Sequence, residues 1–560
     1  MVDVDVLVVG AGPVGLTAAA ELRRHGADCR IVDRLAAPQH YAKAVGVQPR
    51  TLEVWDTMGL ARQALAEALP LRGQLTWIDG REQPRVELKL PPEVPYGFAA
   101  LPQYATEELL AGHLATYGTR VERGLELVSF AQDPDGVDVE LRTPGGVERL
   151  RCRYLVGCDG AHSAVRKGLG LDFGGGAFAD SYMLGDVEVD WDLPAGYAVR
   201  VVRHTADGGP DDLLVAVPLP GRGRGRYRLS AIAAPDLVRE PGGPTGLAHG
   251  LDAGGRPELA HLQAVVDRLA PRPATLSALR WSSVFRISHR IVNRYGEGRV
   301  FIAGDAAHIH PPTGGQGLNT GVQDAYNLAW KLALVLRGAA GPALLDSYDA
   351  ERRPVGEEVV GRTVRHARTD TGRDEDGADG GDGAGAGDGV ERALIREAQL
   401  LVGYPDSPLV SQDDVGGSDG LPVRPGDRAP DCAGLAQPLA AFPQRLFDLL
   451  RSPRHTLLLY AGRAAADGLL ERCAAAAREA AHGALDVYVV LAPGRAGDEP
   501  ARDGSALPVV HDEREAFRTG YGARDPEAFV IRPDGYLAGR VHPLDPEPLA
   551  AVLRRTFGPA

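Results

Sequence analysis

Apolar residues run through this chain in two rhythms. Residues 4–9, V-D-V-L-V-V, form a nearly unbroken apolar run, as expected of a strand buried on both faces. An Ala- and Leu-rich helix follows through Arg24, then a second strand over 29–32 that ends at Asp33. A helix starts at Pro49, with Leu52, Trp55, Met58 and Leu60 apolar. Residues 137–150 alternate as a hairpin around Pro144-Gly145-Gly146. Residues 151–156 make a further strand, and a short helix over 163–169 carries Arg166. From 178 to about 277 the rhythm is that of strands, at 182–189, 197–202, 213–218 and 226–231, with Gly- and Pro-rich turns. This predicts an antiparallel sheet inserted into an α/β unit.

Residues 281–291 return as a strand carrying Arg286, His289 and Arg290, and 299–303 is a short apolar strand. Residues 310–317 hold two prolines and three glycines and cannot be regular structure. From Leu318, helical spacing of Val322, Ala325, Leu328, Ala329 and Leu332 predicts an amphipathic helix, with Asn319 and Thr320 as its caps. Residues 368–390 are acidic and Gly-rich with no apolar pattern, and read as a disordered insertion. Beyond 425 the strands at 456–459, 486–491 and 528–531 predict a smaller α/β unit.

Composition narrows the function classes. With 560 residues the chain is long enough for three to four domains of about 150 residues. A net charge of −14 disfavours a nucleic-acid partner. No run approaches the ~20 apolar residues of a membrane span, and no basic, secretory-type leader is visible. The five cysteines have no CxxC or zinc spacing, so no metal site is expected. Their sparse, odd number fits a reduced, cytoplasmic protein.

Three strand-end turns carry the candidate chemistry. The first is Gly10-Ala11-Gly12-Pro13-Val14-Gly15, set between a strand and a helix, with Asp33 closing the next strand 18 residues after Gly15. This is a dinucleotide-binding arrangement: Gly10 makes the turn, Gly12 admits a pyrophosphate and Gly15 permits close helix packing. Asp33 is placed for ribose hydroxyls, and Arg34 follows it. The second is Asp159-Gly160, which reads equally as a cofactor-facing turn or as an ordinary strand-to-helix turn capped by Ser163. The third is Gly304-Asp305 with the loop H-P-P-T-G-G-Q-G feeding the helix at Leu318. A glycine loop at a helix N-terminus binds anions and dipoles. Lys43 and Arg50 read evenly as phosphate ligands or as a solvated lysine and an arginine paired with Glu53. The alternating arginines of 221–228 read as a solvated strand face.

Taken in order, the three motifs resemble the class A flavoprotein monooxygenases, the FAD-dependent aromatic hydroxylases, and most closely their phenol and polyketide hydroxylase branch. The resemblance spans about residues 1–365, and the region from about 420 resembles that branch's thioredoxin-like C-terminal domain, without its CxxC. It implies a Rossmann-type FAD-binding domain over 1–177 and 278–365 and a substrate-binding β-sheet over 178–277. A linker over 366–419 and a thioredoxin-like domain over 420–560 complete the expected order.

By the same resemblance Gly10, Gly12, Pro13, Val14 and Gly15 hold the FAD pyrophosphate, Asp33 and Arg34 the adenosine end, and Asp305 after Gly304 the ribityl chain. Pro312, Gly315, Gly317, Leu318 and Asn319 cradle the isoalloxazine, and Pro312, Gly315 and Gly317 form the catalytic loop. Asp159 is expected near the pyrophosphate and a transient NADPH or NADH, and Gln103 matches a flavin-contacting glutamine. Lys43 stands where the family commonly has arginine, so it supplies charge without a fork.

The implied activity is hydroxylation of a phenolic or polyketide-type aromatic with O2 and NAD(P)H, through a flavin C4a-hydroperoxide. The helix dipole would stabilise the reduced ring, and an apolar sheet would exclude water. His40, Tyr104 and His289 are candidates for a base, none singled out by its pattern. Baeyer–Villiger insertion, epoxidation or inactivation of an aromatic antibiotic are alternatives, as is a non-catalytic flavin-binding protein. A homodimer is compatible with the resemblance.

Overall fold

The structure is a computed structural model, and it describes residues 2–39, 44–205, 212–221, 225–238, 250–251, 256–370, 386–411, 421–437, 440–461, 468–492 and 507–558. At its centre the apolar Val4–Val9 strand pairs in parallel with Cys29–Asp33 on one side and Gly146–Gly157 on the other. Val121–Arg123 and Val300–Ile302 extend the parallel sheet outward on those two sides. The chain builds one half of the sheet, then crosses to build the other. The strand order therefore reverses between Val4–Val9 and Gly146–Gly157, where an open α/β sheet offers a crevice at its carboxyl edge. Glu126–Gln132 and Val137–Thr143 add an antiparallel meander on Gly146–Gly157.

Helix Gln316–Leu336 runs through this unit buried on nearly every side. It approaches helix Pro13–Arg24 closely because Gly321 has no side chain; a Cβ there would lie 2.6 Å from Val14. A helix enclosed all round must pair any charge it carries, and it carries Asp324 and Lys331, both fully buried.

A second sheet holds ten strands. Its spine is the antiparallel pair Phe173–Asp190 and Thr275–Val292, with bulges that keep the long ribbon in register. Helix Leu259–Leu269 covers one face through Leu262, Val265, Val266 and Leu269. The sheet is wider than the sequence pattern indicates. Gly73–Ile78, from within the expected nucleotide-binding segment, pairs in parallel with Tyr197–Arg203. The expected boundaries at 177/178 and 277/278 fall inside the two long strands, because one continuous ribbon serves both units.

The C-terminal unit is a seven-stranded sheet. His455–Ala461, Leu485–Leu491 and Val509–Asp512 run parallel, and Glu527–Ile531 and Leu537–Val541 form an antiparallel hairpin beside them. Part of the span read as linker is regular: helix Asp346–Asp370 runs through its start, and a helix spans Ala386–Glu397. Of the tract read as disordered, residues 371–385 lie outside the described residues, whereas 386–390 are helical.

The C-terminal unit meets the first through buried charge. Arg532 donates to both oxygens of Glu351, at 2.6 and 2.9 Å, and Lys331 donates to the same carboxylate at 2.7 Å. Asp534 accepts from Arg532, Asn327 and the Trp330 indole. Burial lowers the Lys331 ammonium to about 8 against the pull of Glu351. The apolar core is continuous across this junction.

Candidate active site

The carboxyl edge of the parallel sheet gathers the three glycine turns. Gly10 has φ of +101°, and a Cβ there would lie 2.3 Å from the Cys158 carbonyl, so the first turn presses directly on the second. A Cβ on Gly15 would lie 1.9 Å from the Gly10 carbonyl. Gly12 has nothing within 4 Å of its would-be Cβ. It caps helix Pro13–Arg24 without a side-chain bond, and Pro13 occupies the first turn. The helix start thus presents open N–H groups and the positive end of its dipole. Asp33 accepts from the Ala11 amide at 2.7 Å through one oxygen and from the Leu35 amide at 2.8 Å through the other. Arg34 beside it is exposed.

At the second turn the strand-to-helix reading capped by Ser163 is observed. Ser163 caps the short helix by accepting from the Arg166 amide, and Asp159 Oδ2 accepts from the Ala164 amide at 2.6 Å. Asp159 Oδ1 is buried with no hydrogen-bond partner in the structure. Burial pushes this carboxyl up, against those hydrogen bonds.

The third turn is fixed from behind. Gly304, at φ +61°, donates its amide to Asp324 Oδ2 at 3.1 Å. His308 Nε2 lies 2.8 Å from the same oxygen, and Arg352 Nε donates to Oδ1 at 2.8 Å. Arg352 also donates to the Tyr404 hydroxyl and the Thr320 carbonyl. Burial alone would raise the Asp324 carboxyl; Arg352 and His308 outweigh it and hold the carboxyl below its ordinary range. Half-buried Val14 fills the gap between Gly304 and Gly321. Asp305, the next residue, is half-buried.

The loop beyond this turn holds Gly314 and Gly315 at φ +71° and +64°. Its helix begins at Gln316, two residues before the position read from the sequence, and Gly315 is the cap. Asn319 and Thr320 are therefore inside the helix and do not cap it. Asn319 Nδ2 donates to the carbonyls of Gly46 and Gly315, at 3.0 and 2.7 Å. Its Oδ1 accepts from the Gln48 amide at 2.9 Å and the Thr51 hydroxyl at 2.7 Å. Gln48 Nε2 adds a 2.6 Å bond to the Gly314 carbonyl. The sequence reading overlooked Gln48, Asp324 and Arg352. The signal available was a charged pair inside a helix too apolar to leave it unpaired. Pro312 and Gly314 are exposed, and Gly317 and Leu318 half-buried, so the loop turns small, open backbone outward.

Other expected positions fall elsewhere. Lys43 and His40 lie outside the described residues. The Gln103 side chain is engaged by protein: Oε1 accepts from the Ala44 amide, and Nε2 donates to Glu107. Arg50 is buried and pairs with Glu53, which is the structural of its two readings. The Tyr104 hydroxyl accepts from Arg226 at 3.3 Å, and His289 packs edge-on to Phe178. The solvated-face reading fails at Arg228, which is buried and forks onto both oxygens of Asp186, because that strand position faces its neighbour's carboxylate. Arg222 and Arg224 lie outside the described residues.

A family model described as FAD binding domain matches residues 3–363. The chain belongs to that family. It is 36% identical over 559 residues to the 6-methylpretetramide 4-monooxygenase of Streptomyces rimosus, an alignment covering 96% of this chain and 90% of that one. Over 363 residues it is 38% identical to the rifampicin monooxygenase of Streptomyces venezuelae, covering 64% and 70% of the two chains. Aklavinone-11 hydroxylase, solved as a ternary complex with FAD and aklavinone, matches with a TM-score of 0.76 at 27% identity, covering 100% of this chain and 99% of that one. The chain is an FAD-dependent monooxygenase. Its residues fit that cofactor: an open helix start at Gly12, a buried unpartnered oxygen on Asp159 and a glycine loop leading into a helix start with no side-chain cap bond.

Proposed function

We propose that this monooxygenase hydroxylates a polyketide-type or phenolic aromatic substrate, using NAD(P)H as reductant and O2 as co-substrate. The observation that carries the reading is the loop at Pro312 to Asn319, where two left-handed glycines open into an uncapped helix start on a scaffold whose near-full-length relative is a monooxygenase named for a polyketide. In this reading Gly10, Gly12, Pro13 and Gly15 bind the FAD pyrophosphate, and Asp33 the adenosine ribose. Asp159 lies toward the pyrophosphate, and Asp305 takes the ribityl hydroxyls. FAD supplies the oxygen-activating chemistry when bound. The Gly315 amide closes the turn on the Pro312 carbonyl at 2.9 Å, so Gly317, Leu318 and Asn319 then offer backbone N–H groups and a helix dipole where negative charge develops on reduction.

The face of the second sheet away from helix Leu259–Leu269 is the substrate wall; it sets Tyr182, Leu184 and Phe285 beside the Asp186–Arg228 ion pair, a mixed apolar and polar surface. The C-terminal unit is read as thioredoxin-like, on its three parallel strands flanked by an antiparallel hairpin. With no CxxC in the chain, its role there is docking rather than thiol exchange. Five buried free cysteines support a reducing, cytoplasmic setting.

The test is a screen of phenols, anthraquinones and naphthacene-type polyketides against the FAD-loaded protein. A substrate stimulates NAD(P)H oxidation and yields a product heavier by one oxygen. Absence of stimulation by every phenol and quinone tried contradicts the reading. Antibiotic inactivation is kept as a second reading because of the rifampicin monooxygenase match. Loss of antibacterial activity in the product, with or without ring opening, separates it from biosynthetic hydroxylation.

A further inference from the structure

The glycine loop is held on one flank by residues 46–51. Its other flank is held by chain that follows the described segment of the insertion. Glu397, the last residue of helix Ala386–Glu397, accepts from Gln316 Nε2 at 2.8 Å through Oε2, and its backbone carbonyl lies 3.1 Å from the same nitrogen. A Cβ on Gly314 would lie 2.7 Å from that carboxylate oxygen, so Glu397 rests against the apex of the loop. Two residues on, Gln399 is 3% exposed. Its Nε2 donates to Gln316 Oε1 at 2.6 Å and to the Thr320 hydroxyl at 3.0 Å, and its Oε1 accepts from Gln323 Nε2 at 2.6 Å. One amide thus engages three side chains in the first two turns of the helix that starts at the loop.

Glycine visits positive and negative φ about equally, so Gly314 and Gly315 have no preference of their own for the conformation they hold. Outside contacts must impose it. Gln399 itself sits at φ +60°, uncommon for a residue with a side chain, and its backbone is held there while the amide makes these bonds.

We propose that Glu397 and Gln399 are positioning residues for the flavin ring. They act through Gln316 as a strap that holds the 314–316 turn in the one conformer whose helix-start N–H groups face the ring. The proposal rests on the FAD monooxygenase reading. It adds that the segment between the first and last units sets the geometry of the reacting loop, since donors to a developing charge are effective only when pre-organised.

The experiment compares full-length wild type with Glu397→Ala, Glu397→Gln and Gln399→Gly. Glycine suits the positive φ at 399, so a loss there comes from the missing amide, not from backbone strain. The Glu397→Gln carbonyl still accepts the Gln316 bond and is the conservative rescue. In the apoprotein, amide hydrogen exchange over 312–320 is expected to quicken about tenfold in Glu397→Ala and Gln399→Gly, the loss of about one such bond. In the FAD-loaded protein the same two variants shift the flavin absorption bands and yield less product per NAD(P)H oxidised. Glu397→Gln stays near wild type. Wild-type exchange and flavin spectra in both Glu397→Ala and Gln399→Gly, with folding confirmed by circular dichroism, overturn the strap. If wild type binds no FAD, the monooxygenase reading itself fails, while the apoprotein exchange still decides whether the strap holds the loop.

Discussion

The side chain of Asn319 donates to two carbonyls and accepts from an amide and a hydroxyl, all in a fully buried setting. Replacing it by alanine leaves those partners unpaired, at about 1–3 kcal/mol for each group that water cannot reach. Asn319→Asp is expected to be worse than Asn319→Ala, although it is the smaller change in shape. The aspartate would turn an oxygen toward the carbonyls of Gly46 and Gly315, acceptor against acceptor. FAD dissociation constants and thermal midpoints of the two variants check this; equal behaviour would mean that Asn319 does not set the loop. Asp324 offers a second test at this scale. Asp324→Asn leaves the Arg352 guanidinium buried without its counter-charge, at an expected cost of about 3–5 kcal/mol. The Asp324 carboxyl is held below its ordinary range, so its contribution is present above the unfolded carboxylate value and disappears as pH falls through the folded one.

Among the elements, the helix through Arg24, the strand ends at Asp33 and Gly157 and the helix through Leu332 were legible from local pattern. Each is defined by its neighbours in the chain: an apolar run, a glycine turn, a helical period. What pattern missed depends on distant partners. Gly73–Ile78 carries no strand signal that the local pattern picked out, and it becomes one by pairing with Tyr197–Arg203. Asn319 looks like a cap by residue type, but its four bonds go mostly to residues more than 260 positions away. The strand His455–Ala461 shows the same dependence. His455 packs between Trp330 and Phe557, and burial holds its imidazole down at about 3. A folded imidazole below its unfolded value favours folding fully above about pH 6.5, and the contribution is lost as pH falls toward 3. Lowering the pH from 7.5 to 5.5 is therefore expected to cost about 1.4 kcal/mol at this one residue, and His455→Gln to remove that part of the dependence. Urea midpoints of the two proteins at both pH values measure it. Equal slopes would show that the ring is not buried neutral.

Across the whole molecule, the last unit is joined to helix Gln316–Leu336 by a charge cluster that no solvent reaches. Glu351 is its hub, bonded by Lys331, Arg532 and the Ser407 hydroxyl. Taking one partner from such a cluster leaves buried charge uncompensated, at about 3–5 kcal/mol. Glu351→Gln is expected to loosen the junction first. The sign would be a separate, earlier thermal transition and faster proteolysis between 400 and 425, with the first unit still folded. A single unshifted transition would contradict this. The same junction carries the 397–407 segment, from Glu397 on the loop to Tyr404 on Arg352 and Ser407 on Glu351. The 397–407 segment thus ties the glycine loop to the buried charge cluster.

The central claim is that the glycine loop and its helix start serve an FAD ring that transfers one atom of O2 to an aromatic carbon. The most direct measurement is turnover of the FAD-loaded protein with NAD(P)H under 18O2, using a polyphenolic ring that stimulates cofactor oxidation. The account requires one 18O in the product, and a fall in product per NAD(P)H in Asn319→Ala. NAD(P)H oxidation that yields only hydrogen peroxide with every aromatic tried, or product oxygen that comes from water, would contradict it.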